Sequence, residues 1–291
     1  FSSLGGFIAV VAVTGETTSV TVQLPRGHGV AEAVNNTVQH DNLTPGDVAL
    51  IVGSSPGDLS GAVIEASNPV AVFAGHDCTY IPRERPACDH LEEQLLPMET
   101  LGRDYVISEL RDRDLGSLVR IVAPFDDTVV RFEPSTISPP RRLAAREVIE
   151  FNGHGSFRLR STRPLLVTQF MMGLGTGSAN PDRAGDPALV QEVPVQQFRD
   201  RYDFLVPSTY TSNFVGLVVP RGARVLLDGN ELTGATEMLG AWYVLHAPVM
   251  PGRHHLRTAE GVPLGVKVYG TARYTSYMYP GGLDLRLLPP G

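Results

Sequence analysis

Residues 157–170 read Phe157-Arg-Leu-Arg-Ser-Thr-Arg-Pro164-Leu-Leu-Val-Thr-Gln-Phe170: a short strand, a polar step, a proline, and a second strand ending on an aromatic. The same order of features stands at Ala62-Val-Ile-Glu-Ala-Ser-Asn-Pro69-Val-Ala-Val-Phe73 and at His255-Leu-Arg-Thr-Ala-Glu-Gly-Val-Pro263-Leu-Gly-Val-Lys-Val-Tyr269. Proline lacks the N–H that a strand ladder needs, so it marks where one strand stops and the next begins. Three occurrences of one such unit point to internal repetition.

A second landmark precedes each unit: Val20-Thr-Val-Gln-Leu-Pro25, Val119-Arg-Ile-Val-Ala-Pro124 and Val215-Gly-Leu-Val-Val-Pro220, with prolines 99 and 96 residues apart. The distances from first to second landmark, 44, 40 and 43 residues, keep step through the chain. Upstream, the aromatic-led runs at Phe7, Tyr105 and Phe204 are expected to open each copy. Thr128–Phe132 and Val225–Gly229 supply further strands, the latter ending on an Asp-Gly turn signal. About six short strands in roughly 100 residues is the size of one antiparallel sandwich. The expected fold class is therefore all-β: three homologous β-sandwich-like repeats of about 95–100 residues with two long inter-repeat loops. The expected units are 1–104, 105–203 and 204–291, as separate sandwiches or one three-lobed body. Tyr274 to Leu288 falls beyond the third copy, free to close against the first copy or to add to a neighbour.

Composition agrees. The 30 Gly and 23 Pro are spread along the chain, which suits many short strands joined by turns and disfavours long helices. A net charge of −7 argues against a nucleic-acid surface, which needs clustered Lys and Arg. No apolar run is long enough for a transmembrane helix. The chain opens at Phe1 without a methionine, and it reads as a processed product or an excised fragment.

Two excursions, residues 75–104 and 171–203, break the β pattern, and long loops in compact proteins are often functional. Each carries a helix-start signal. Asp89-His-Leu-Glu92 has the form of a capping box, and Asp186-Pro187 sets proline behind an Asp cap. The first excursion holds the only cysteines, Cys78 and Cys88, flanked by His76 and His90. A disulfide closing a polar loop is the preferred reading. A two-Cys, two-His zinc shell is the alternative, but its spacing is not that of a finger or ribbon.

No nucleophile elbow, phosphate-binding glycine loop or His-Glu-x-x-His helix is present, and no catalytic residue, metal or cofactor is assigned. His254-His255 reads as a solvated strand pair, and Trp242 as packing. Candidate binding residues are Tyr80, Arg83 and Arg85 in the first excursion and Asp182 and Arg183 in the second, with Tyr210 and Phe214 from a tyrosine-rich group that includes Tyr274, Tyr277 and Tyr279.

The stretch Pro69-Val-Ala-Val-Phe-Ala-Gly-His-Asp-Cys78, followed by Cys88-Asp-His-Leu-Glu-Glu-Gln-Leu-Leu-Pro97 and Leu101-Gly-Arg-Asp-Tyr-Val106, resembles the IgGFc-binding protein N-terminal domain family. Gly185-Asp-Pro-Ala-Leu-Val-Gln-Glu-Val-Pro194 and the residues on to Phe204 resemble its bacterial members. The resemblance spans nearly the whole chain. It implies an extracellular or cell-surface place and a binding or adhesive role, and it strengthens the disulfide reading. It transfers no ligand. The expected function is a non-catalytic module presenting its loops to an extracellular protein or glycan. The alternative is a structural subunit that self-associates into a filament or coat.

Overall fold

The computed structural model describes residues 4–85, 87–111, 116–173 and 185–289. Among them there is no α-helix; the chain forms strands and two single 3-10 turns, Met98–Thr100 and Val195–Gln197. The first segment contains β1 (Leu4–Ala12), β2 (Thr18–Gln23), β3 (Thr37–Leu43), β4 (Val48–Ser54), β5 (Val63–Ala66), β6 (Val70–Thr79) and β7 (Asp89–Gln94). The second contains β8 (Asp104–Ile107), β9 (Ser117–Val122), β10 (Thr128–Glu133), β11 (Arg141–Leu143), β12 (Val148–Gly153), β13 (Phe157–Ser161), β14 (Leu166–Met171) and β15 (Ala188–Gln191). The third contains β16 (Arg201–Val206), β17 (Ser212–Pro220), β18 (Val225–Leu227), β19 (Asn230–Glu231), β20 (Ala235–Leu239), β21 (Trp242–Pro248), β22 (Gly252–Thr258), β23 (Gly265–Ala272) and β24 (Thr275–Pro280).

The strands form six antiparallel sheets, two per segment, and one topology recurs. In the second segment the orders are β11-β10-β13-β8 and β12-β9-β14-β15. The third repeats them as β19-β18-β22-β16 and β21-β17-β23-β24, with β20 added outside β21. The first gives β3-β2-β5 and β4-β1-β6-β7, the same scheme without the strand that β8 and β16 supply. Each pair of sheets encloses its own core, around Val10 and Ile51, around Ile121 and Leu159, and around Leu217 and Leu256. Alternation builds these cores: in β16, Tyr202, Phe204 and Val206 are buried while Arg201, Asp203 and Leu205 are exposed.

The Pro69, Pro164 and Pro263 landmarks join equivalent strands in all three segments, β5–β6, β13–β14 and β22–β23. The other landmark does not. Pro124 and Pro220 close β9 and β17, but Pro25 follows β2, whose equivalents are β10 and β18. Likewise Phe7 lies in β1, the counterpart of β9, whereas Tyr105 and Phe204 lie in the opening strands β8 and β16. Proline suits the end of any strand, so its presence does not say which strand has ended. The Asp-Gly signal forms a two-residue hairpin, with Asp228 at φ 52° and Gly229 at φ 83° between the paired Leu227 and Asn230.

Both helix-start signals fail. Asp89–Gln94 is β7 and Ala188–Gln191 is β15, each hydrogen-bonded along the edge of a sheet. A ladder against an existing strand satisfies several backbone groups at once and outweighs a cap that satisfies one or two. The long excursions thus resolve into a connection inside each segment (80–88 and 172–187), an edge strand, and a linker through a 3-10 turn.

The three sheet pairs pack against one another. Ile81 and Leu91 of the first lie on Leu118, Phe170 and Leu189 of the second. Val106, Leu110, Ala188 and Val190 of the second lie on the third, against Val218, Val244, Tyr269 and Met278. A shared device anchors the two linkers. The Tyr105 hydroxyl donates to the Leu165 carbonyl at 2.5 Å and accepts from the Gly102 N–H, and Tyr202 does the same with Leu264 and Arg199. The residues after β24 return to the linkers, where Gln197 Nε2 bonds the carbonyls of Thr100 and Arg286 and Leu288 N–H bonds Glu99 O. Thr275–Pro280 is therefore the last strand of the third sheet pair and not an extension beyond it, and residues 284–289 close back towards the first.

Candidate binding pole

Three equivalent connections, each between the last two strands of a four-strand order, have described residues that lie beside one another at one end of the molecule. They are 80–88 between β6 and β7, 172–187 between β14 and β15, and the tight Arg273-Tyr274 turn between β23 and β24. Gly173 N–H donates to Ile81 O at 2.7 Å, which ties the second connection to the first. A Cβ at Gly173 would stand 3.2 Å from the Ala87 carbonyl oxygen, a tight approach that a larger residue would press on. The Asp89 carboxylate lies near the backbone of Ser276, which sets the first connection beside the third; burial raises the pKa of Asp89, opposed by the nearby His90 and Ser276 backbone groups. The Tyr269 hydroxyl accepts from Arg111 N–H at 2.9 Å, joining second and third nearby.

Cys78 and Cys88 are bonded to each other, with Cα atoms 5.1 Å apart, and close the first connection. With both sulfurs in that bond, the zinc arrangement left open by the spacing does not form. His76 Nδ1 accepts from Cys78 N–H, burial lowering its pKa, and His90 turns to Glu92 and stacks on Phe7. Replacing both cysteines with serine is expected to lower stability by about 2–3 kcal/mol, the entropy released by opening a short loop. The urea midpoint of the variant against the oxidised parent checks this.

Arg83 is exposed, and Tyr80 and Arg85 are half-buried, all on the disulfide-closed connection. Tyr210 makes an edge contact with Tyr277 at 4.5 Å. Phe214 stacks on Tyr269 at 5.6 Å and packs beside Leu110 and Met171, so its ring serves the contact between second and third sheet pairs. Asp182 and Arg183 lie outside the described residues. The sequence reading passed over Arg273, exposed and set over the Tyr274 ring at 5.0 Å, with Tyr274 itself 66% exposed. The signal was available: the turn follows the third landmark strand at the place where Cys78 follows the first.

His254 is not a solvated residue. It is 8% exposed, with Nδ1 2.7 Å from Asp228 Oδ2 and Nε2 2.7 Å from the Met250 carbonyl. Trp242 is partly buried and meets Phe198 edge-on at 5.9 Å, in the contact between second and third pairs. The described residues contain no group of three or more His, Cys, Asp or Glu side chains placed to hold a metal.

Among the described residues the chain is an all-β body of three packed sandwich-like sheet pairs, with a disulfide closing the connection between β6 and β7. The chain belongs to the IgGFc-binding protein family: the profile described as IgGFc binding protein matches residues 2–270. The human IgGFc-binding protein is similar, with 27% identity over 302 aligned residues that take in 98% of this chain and 5% of the human protein. The chain therefore spans only a small part of that relative's length. No solved structure matches. No helix among the described residues is long and apolar enough to cross a membrane.

Proposed function

We propose that this chain is an extracellular or cell-surface protein-binding module, organised as units 1–104, 105–203 and 204–291, that meets its partner at the pole where the three connections converge. The observation that carries this reading is the Gly173 to Ile81 hydrogen bond together with the nearness of Asp89 to the Ser276 backbone, which set parts of all three connections beside one another. That place presents Arg83, Arg273, Tyr274 and Tyr210, and arginine and tyrosine are the residues most often found at energetic centres of protein interfaces. The fixed framework beneath them limits the ordering cost of binding. A role without catalysis fits the same surface, where Arg83, Arg273 and Tyr274 offer hydrogen-bonding and aromatic groups.

The human relative is named for binding the Fc region of immunoglobulin G, and that fragment is the first probe. Immobilised chain is to be exposed to Fc and, in parallel, to extracellular protein extract. Arg83→Ala with Tyr274→Ala is expected to reduce capture from one of these sources at least about tenfold, the loss expected of a hot-spot residue. Arg224→Ala, on an exposed strand end of the third sheet pair, leaves capture unchanged. Equal loss from both variants, or none from the first, counts against the pole as the contact surface.

A further inference from the structure

The outer faces of the three β4-type sheets differ in what covers them. In the second and third sheet pairs β14 and β23 are buried on nearly every residue, because one face lies on its own core and the other on a neighbouring pair. Their counterpart β6 is half-buried at every residue except the exposed Asp77. Beside it, on the far side of β1, stands β4 with the sequence Val48-Ala-Leu-Ile-Val-Gly-Ser54, free of charge and proline. Val48 and Leu50 are 53% and 55% exposed, while Ala49 and Ile51 enter the core.

β4 is also an edge. Ala12 N–H bonds Asp47 O at 3.1 Å, and from there the antiparallel register turns the N–H and C=O of Ala49 and Ile51 towards β1. Those of Val48, Leu50 and Val52 face away from it. Ser54 N–H, on the same outward side, is taken by Gly29 O at 3.0 Å. Among the described residues no strand pairs with the outward side of β4.

The equivalent edges show how this chain treats such a position. In the third sheet pair β21 carries an added antiparallel strand, β20, along Ala235–Leu239. In the second, β12 carries Glu150, ion-paired with Arg120 at 2.5 Å, and an edge charge of this kind discourages pairing. Among the described residues, β4 over Val48–Val52 has neither an added strand nor a charge.

We propose that β4 is the docking edge for a second copy of this chain, the two β4 strands pairing antiparallel about a two-fold axis at Leu50. That register sets Leu50 opposite Leu50 and Val48 opposite Val52, so every outward backbone group of the three residues finds a partner and every cross-strand pair is apolar. The half-buried residues Phe7, Ala9 and Val11 extend the same apolar face behind each strand. An isologous pairing of this kind closes at two copies.

Sedimentation equilibrium of the chain over a rising concentration series is expected to show a monomer–dimer transition. Leu50→Lys, which sets two ammonium groups face to face, is expected to weaken the dimer at least about tenfold. Leu50→Pro removes an outward N–H without touching the bonds to β1 and is expected to do the same. Met250→Lys, at a residue 76% exposed elsewhere, leaves the dimer as it was. Leu50→Cys is independent of these: opposed residues in a hydrogen-bonded antiparallel pair stand about 5.5 Å apart, so a short thiol-specific bifunctional reagent should cross-link two chains, the native cysteines being held in their own disulfide. A chain that stays monomeric at every concentration overturns the proposal. So does a dimer that keeps its strength in Leu50→Lys, or one that Leu50→Cys does not cross-link.

Discussion

Replacing Lys267 with methionine is expected to lower the unfolding free energy by about 3–5 kcal/mol at neutral pH, the usual consequence of leaving one member of a buried ion pair alone. Lys267 lies on β23 with its ammonium 2.5 Å from Glu192 Oε1, and the two side chains are 6% and 8% exposed. The ammonium also donates to Gln169 Oε1, whose amide in turn donates to Ser108 O at 3.1 Å and Ser117 Oγ at 2.9 Å. This chain of bonds runs from the third sheet pair into the second. Burial raises the pKa of Glu192 and lowers that of Lys267, each opposed by the partner's charge. In Lys267→Met the stranded Glu192 can escape only by taking up a proton, so the loss is expected to shrink as pH falls. Adding Glu192→Leu removes the stranded charge and recovers much of the stability, but not all, because Gln169 Oε1 still lacks its donor. Urea midpoints of the parent, both single variants and the double variant check this, with an unchanged slope showing that the fold is kept.

The second large effect is one of pH. His246 is 4% exposed on β21, and both ring nitrogens lack a partner. Its pKa is lowered to about 4 by burial first, then by the charges of Arg111 and Lys267. A folded pKa below the unfolded value means that the contribution is fully present above about pH 6.5 and is lost as pH falls towards 4. Over that window the loss amounts to about 3 kcal/mol. His246→Leu is expected to remove this loss, so relative to the parent the variant gains stability as pH falls from neutral to 4. Glu93 works in the opposite sense. Its pKa is pushed up to about 7 by burial, opposed by a bond from the Gln191 backbone. Its contribution is present below about 4.5 and is lost as pH rises to 7, so the two slopes oppose each other between about pH 4.5 and 6.5 and leave the parent nearly level there. Denaturation curves at a series of pH values, for parent and His246→Leu, decide the matter; parallel profiles would show that His246 is not the group that titrates.

Much of the scaffold is legible without coordinates, because the signals involved are local. A proline between two apolar runs marks the joint of two strands wherever it occurs, and all three such joints are real. The Asp228-Gly229 turn and the Cys78–Cys88 bond are of the same kind. Local signals mislead where longer-range bonding competes with them. Asp89-His-Leu-Glu92 has the chemistry of a helix cap, but the open edge of β6 offers it a ladder. Pro25 ends a strand as Pro124 does, though the sheet shows that the strands are not counterparts. His254-His255 gave no sign that one ring would be held between Asp228 and a carbonyl while the other faces outward. The binding pole was half legible: the disulfide connection stood out by its cysteines, but its relation to Arg273 and Tyr274 depends on the third sheet pair arriving beside the first.

The residue pattern alone determined that this chain makes short antiparallel strands, that it does so in three related passes, and that its cysteines sit on one loop. Those properties follow from alternation, turn chemistry and proline geometry, all of which act within a few residues of chain. Only the tertiary structure decided what lies on the outer face of each sheet. Lys267 and Tyr269 are buried because the second sheet pair lies over them, and Val48 and Leu50 are open because no strand among the described residues does. Whether a face is covered depends on contacts between residues far apart in the chain, and alternation reads the same in either case.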